Sequence, residues 1–133
     1  MLTLAIDTSS TKEYVAVFSG NKRLGLIAEF SWNGNYDETK KLLPAIKKVL
    51  KKARIGFEDI DRLIVACGPG AFTGLRIGVT VANTLAFALK KPLFTIDKIE
   101  HNMLLLKPSR LKKEFPAVPK YSKPPNITKP TGK

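Results

Sequence analysis

Cysteine, histidine and acid are all scarce in this sequence, and each shortage rules something out. Cys67 is the only cysteine among 133 residues. It forbids an internal disulfide and leaves no cysteine-based metal site. His101 is equally alone, with Glu100 beside it and no other ligand at a metal spacing. It therefore reads as structural rather than as part of a histidine-built centre. No run approaches the roughly 18 apolar residues of a membrane-spanning helix. The start, MLTLAIDTSS, carries Asp7 and no basic leader, so a cytoplasmic protein in a reducing compartment is expected. Acidic residues number 11 against 23 basic ones, a net charge of +12 that points toward polyanionic partners. Much of this surplus comes late: Lys107, Arg110, Lys112, Lys113, Lys120, Lys123, Lys129 and Lys133 face Glu114 alone. The same stretch is rich in proline, so 107–133 reads as a basic tail, extended or disordered beyond about Phe115.

Against these absences stands one domain's worth of patterned sequence, from residue 1 to about 106. LTLAID (2–7), the run from Tyr14 to Phe18, and Arg23 to Phe30 read as strands joined by short polar turns, an antiparallel meander. Over 38–53 the period changes. Leu42, Leu43, Ile46, Val49, Leu50 and Ala53 recur three or four apart, with lysines on the other side. This predicts an amphipathic helix capped by Asp37, bent or loose near Pro44, and ended by Gly56. Ile60 to Cys67 predicts a central strand covered on both faces. A second helix follows over 73–89, then a strand over Leu93 to Ile96, and a third helix is expected over 98–106. The order implies one mixed sheet flanked by helices.

The junction CGPGAFTGLRIG (67–78) is the most distinctive stretch. It lacks the lysine and the following Ser or Thr of a P-loop, so its glycines signal a tight strand-to-helix turn. Thr73 is placed to cap the helix and Gly70 to take the positive φ of the turn. Behind it Gly74, Gly78, Ala82 and Ala86 form a ridge almost bare of side chains, where another backbone can approach closely. Leu75, Ile77, Val79, Val81, Leu85 and Leu89 lie on other sides, more apolar surface than one stripe needs. At the end of the first strand, Asp7, Thr8 and Ser9 offer a carboxylate and two hydroxyls. Such a group can hold magnesium or face phosphate, or it can serve its own turn. Trp32 and Tyr36, near the first helix, read as a helix staple or a partner anchor.

LAIDTSS (4–10), LLPAIKKVL (42–50) and above all GPGAFTGLRIGVTVANTLAFAL (68–89) resemble the TsaB family, the non-catalytic subunits of the bacterial tRNA threonylcarbamoyladenosine machinery. The resemblance covers residues 1 to about 106. It implies an α/β fold, the N-terminal lobe of the actin/hexokinase/Hsp70-like (ribonuclease H-like) class, with a mixed five-stranded sheet of three antiparallel then two parallel strands. It further implies a partner or activator subunit rather than an enzyme. Such a subunit pairs through helices 38–53 and 73–89 with a TsaD-like catalytic subunit, and with a TsaE-like ATPase in the complex. The partner interface would comprise Leu42, Ile46, Leu50, Gly74, Leu75, Gly78, Val79, Ala82 and Ala86. Asp7, Thr8 and Ser9 stand where catalytic relatives keep a phosphate loop. No cofactor of the chain's own is implied, ATP and magnesium belonging to the complex. A homodimer in isolation and tRNA contact through the basic tail are further expectations. Family members carry a second lobe that this sequence does not match. Alternative readings are a reduced nucleotide-binding, ATPase- or kinase-like lobe and a basic tRNA-binding module.

Overall fold

Apolar residues recurring at every second position build three strands at the start of the chain: β1 (Leu2–Asp7), β2 (Lys12–Ser19) and β3 (Leu24–Asn33). They form the expected antiparallel meander, with Leu4 opposite Val17 and Ile6 opposite Val15. The β2–β3 register slips between Val17 and Phe18, where a bulge admits an extra residue. The computed structural model describes residues 1–34, 38–70, 72–100, 105–106 and 110–120, with the backbone alone at 38–39, 72–73 and 105–106. Asp37, Tyr36 and His101 lie outside the described residues.

β4 (Arg62–Ala66) runs parallel to β1, and β5 (Leu93–Ile96) parallel to β4. Two short strands then occupy the edges: β6 (Leu105–Leu106) pairs with β3 and β7 (Lys112–Lys113) with β5. The sheet order is β6-β3-β2-β1-β4-β5-β7. The helix expected over 98–106 does not form at its described residues. Residues 98–100 are irregular and 105–106 are strand. The physical reason is competition for backbone partners. The Ile99 amide is held by the Asp7 carboxylate, and Leu105–Leu106 meet the open edge of β3.

α1 (Glu38–Ala53) and α2 (Phe72–Leu89) lie on one face of the sheet. Leu4, Ile6, Val15, Val17, Leu63 and Val65 point toward them and meet Leu42, Ile46, Val49, Leu75, Val79 and Ala82. Each large side chain buried there contributes about 1.5–3 kcal/mol. α1 continues through Pro44. It ends at Ala53, not at Gly56: Arg54 takes a left-handed φ of 60° and the Ile55 amide reaches back to Leu50 O at 3.0 Å. α2 closes the same way at Lys90 (φ 56°), with the Lys91 amide on Ala86 O at 3.1 Å. The opposite face carries Ala5, Tyr14, Ala16, Phe18, Ile64 and Ala66, with Ile99 and Leu111 against them. β4 is thus covered on both faces, as its sequence implies.

The proline-rich segment holds a surprise. From β7 onward it stays extended but is bound as a strap across the β5 edge and the mouth of the β4–α2 turn. The Glu114 amide donates to Leu93 O at 3.0 Å, and the Lys120 amide to Cys67 O at 2.7 Å. Between them the Asn83 carboxamide takes both backbone groups of Ala117, accepting from N–H at 2.7 Å and donating to C=O at 3.0 Å. Ala117 is buried in the helix-side core. The segment 110–120 therefore belongs to the lobe, and the boundary expected near residue 106 is not where the folded unit stops.

Candidate functional site

Asp7, Thr8 and Ser9 come together as a buried knot at the end of β1, each less than a tenth exposed. Asp7 Oδ1 accepts from the Ser9 amide at 2.9 Å and from Ser9 Oγ at 2.6 Å, while Oδ2 accepts from the Ile99 amide at 2.8 Å. Thr8 Oγ1 donates to Gly74 O at 2.5 Å, joining this loop to the first turns of α2. The loop and the glycine junction then press together. A Cβ on Gly70 would collide with Ser9 O, and one on Gly78 with Thr8 Oγ1. The positive φ of the junction sits at Gly68 (90°), not at Gly70 as expected. Gly70 is needed instead for its closeness to Ser9. α2 begins at Phe72, which puts Thr73 inside the helix rather than at its cap.

This arrangement does not fit a nucleotide phosphate with its magnesium. The carboxylate already receives three short hydrogen bonds from the chain itself, both hydroxyls are spent as donors, and the loop is packed shut against α2. Among the described residues no group of three or more His, Cys, Asp or Glu is arranged to hold a metal ion.

The bare ridge on α2 also turns inward. Gly74, Gly78, Ala82 and Ala86 are buried, and what approaches them closely is the chain's own β1 loop and sheet. Leu42, Ile46, Leu50, Leu75 and Val79 are buried in the same core, none more than 4% exposed. The nine residues expected to form a partner interface are thus committed within the chain. The reason is geometric: a small-residue stripe marks a close approach without saying whose backbone approaches.

The outer side of the two helices offers a different set. Leu43 from α1 is 42% exposed. With Ile77, Thr80, Val81, Thr84 and Leu85 from α2 it lines a shallow groove of about 320 Å³. These residues carry no charge, while lysines of α1 stand exposed nearby in sequence, at 40, 47, 48, 51 and 52. The signal for this surface was present as the surplus apolar residues of α2. Their outward position was not readable without knowing which stripe faces the sheet. Trp32 is no exposed anchor: it stacks on Phe30 with ring centroids 5.9 Å apart and packs against the helix-side core. Lys48 sits 4.4 Å over the Phe30 ring.

Two buried titratable groups lie near these features. Burial pushes the Cys67 thiol up to about 11, helped by Glu114. Burial, then the hydrogen bond to Glu29, raises the Tyr14 phenol well above its ordinary value. Neither is poised as a nucleophile or base at neutral pH.

Residues 37–122 match a family model described as TsaD: tRNA N6-adenosine threonylcarbamoyltransferase. The tRNA threonylcarbamoyladenosine biosynthesis protein TsaB of Buchnera aphidicola subsp. Schizaphis graminum is 40% identical over 98 residues, covering 74% of this chain and 45% of that protein. A tRNA N6-adenosine threonylcarbamoyltransferase of Ralstonia pickettii is 34% identical over 131 residues, covering 87% of this chain and 37% of its own length. Among solved structures, YeaZ from Pseudomonas aeruginosa superposes with a TM-score of 0.62 at 30% identity, over 71% of this chain and 42% of that one. The mixed sheet with flanking helices is the actin/hexokinase/Hsp70-like fold of these structures. The chain spans less than half the length of each of these relatives.

Proposed function

This chain belongs to the family described as TsaD, tRNA N6-adenosine threonylcarbamoyltransferase, and from that premise we propose that it is a non-catalytic partner subunit in tRNA threonylcarbamoyladenosine modification. It docks on a TsaD-like catalytic subunit, in a complex that also engages a TsaE-like ATPase. The observation that carries the reading is the uncharged groove along the outer faces of α1 and α2, with Leu43, Ile77, Val81 and Leu85 turned away from the sheet. Helices that already bury one face in their own core, and keep a second apolar face outside, are suited to a helix-to-helix contact rimmed by lysines. The self-satisfied Asp7–Ser9 knot supports a supporting rather than a chemical role. ATP and magnesium enter with the other subunits. The contribution of this chain is to hold the catalytic subunit in its competent geometry, a shift of populations limited by the binding energy of the groove.

The test is Val81→Asp, which places a carboxylate in the contact without touching the inner core. Association with the TsaD-like subunit, measured by calorimetry on purified proteins, should weaken at least about a hundredfold, because an unpaired charge is buried. The melting temperature of the isolated chain should stay the same. Unchanged affinity would remove this surface from the interface.

A further inference from the structure

A second surface lies at the far end of α2, and it shares no lining residue with the α1–α2 groove. Here the last turn of the helix and the strap enclose an open groove of about 870 Å³, lined by Phe87, Lys90, Lys91, Lys113, Glu114 and Phe115 among others. Phe87 is 76% exposed and Phe115 55%. One ring comes from the helix and the other from the strap, so the surface exists only because 110–120 is bound along β5. Three ammonium groups surround the rings and a single carboxylate opposes them. The sequence on both sides of Phe115 continues this bias, with Arg110, Lys112, Lys120, Lys123, Lys129 and Lys133 and no acid but Glu114.

We infer that this groove binds a single strand of nucleic acid, its bases stacking on Phe87 and Phe115 and its phosphates meeting Lys90, Lys91 and Lys113. An exposed phenyl face accepts any base, and lysines on flexible stems follow a backbone of variable path. Together they make a sequence-tolerant platform rather than a reader of base edges. Charge selects the occupant: a polyphosphate strand is complementary to the rim, and the rings supply contacts that a duplex, with its bases stacked inside, cannot use.

The experiment is a fluorescence-anisotropy titration of the full chain with an unstructured RNA of about 12 nucleotides, long enough for a site of this kind, alongside the same sequence as a duplex. Binding should favour the single strand and weaken with salt. Phe87→Ala/Phe115→Ala should lower its affinity by about tenfold or more, with an unchanged melting temperature. Lys90→Glu/Lys113→Glu should weaken binding and flatten the salt slope by roughly one. Equal affinity for duplex, a phenylalanine double variant that binds like the parent, or affinity indifferent to salt would each overturn the inference. So would tight binding of a glutamate- and leucine-rich peptide with no measurable RNA binding, which would assign the groove to a protein. Because Val81 lies outside the groove, Val81→Asp should leave RNA binding intact, and failure of either surface is read separately.

Discussion

Gly78 sits where α2 passes the loop after β1, and the absence of a side chain there is what lets Thr8 lie against the helix and bond to Gly74. From the sequence the same glycine reads as a gap left for an outside helix, and on that reading Gly78→Leu abolishes partner binding but spares the fold. The structure reverses the expectation. A leucine must displace a threonine that is only 1% exposed and tied into the Asp7–Ser9 knot. Overpacking of this kind costs about 1–3 kcal/mol, and more where a buried hydrogen bond is lost with it. Gly78→Leu should therefore shift the urea midpoint of the isolated chain clearly downward. An unshifted midpoint with lost partner binding would restore the sequence-based reading. Asp7 fared better: its own turn was one of two uses legible from the sequence, and the Ser9 contacts are that use. The Ile99 contact was not legible, since it joins residues 92 apart.

At the scale of elements, local periodicity was informative wherever an element buries one stripe against the sheet. α1, α2 and the five longer strands lie close to their expected positions for that reason. It failed where an element exists to satisfy an edge. Leu105–Leu106 and Lys112–Lys113 have no strand pattern of their own and become strands because β3 and β5 would otherwise end in unpaired backbone groups. Proline and lysine content was equally blind to the strap, whose main anchor is a carboxamide far away in sequence. Asn83 matches both groups of the Ala117 peptide in the manner of a second strand. Asn83→Ala removes both bonds and leaves a part-buried N–H and C=O without them, a loss of about 1–3 kcal/mol. Hydrogen exchange at Ala117 should accelerate much more than at Val65 in β4. Equal protection in the variant and the parent would show that the strap is held by other means.

For the whole molecule, the strap makes the fold and its C-terminal segment interdependent, and Cys67 reports on that dependence. The thiol lies at the end of β4, 4% exposed, with its own carbonyl receiving the Lys120 amide. A chain ended after Leu106 loses β7, the Glu114 and Lys120 bonds and the Asn83 anchor. At roughly 1 kcal/mol for each net hydrogen bond, it should be less stable by at least about 3 kcal/mol. A chain ended after Lys120 keeps all of them and should melt with the full-length protein. Thiol reactivity toward a disulfide reagent at pH 8 should be slow in the full chain and in the 1–120 form, and fast in the 1–106 form, where the cover is gone. The same burial sets a pH dependence. The folded thiol is held up to about 11 while the unfolded one ionises near its ordinary value of 9. The stabilisation from keeping it neutral is therefore complete below pH 9 and lost as pH rises through 11. Comparing the urea midpoint of the full chain with that of Cys67→Ala from pH 8 to 11 isolates this share from the lysines and tyrosines that titrate in the same range. Parallel curves would mean that the thiol is not sealed. Loss of nucleic-acid binding on deleting 107–133 would then have to be judged on the 1–120 form, because the shorter chain removes part of the folded lobe together with the charge.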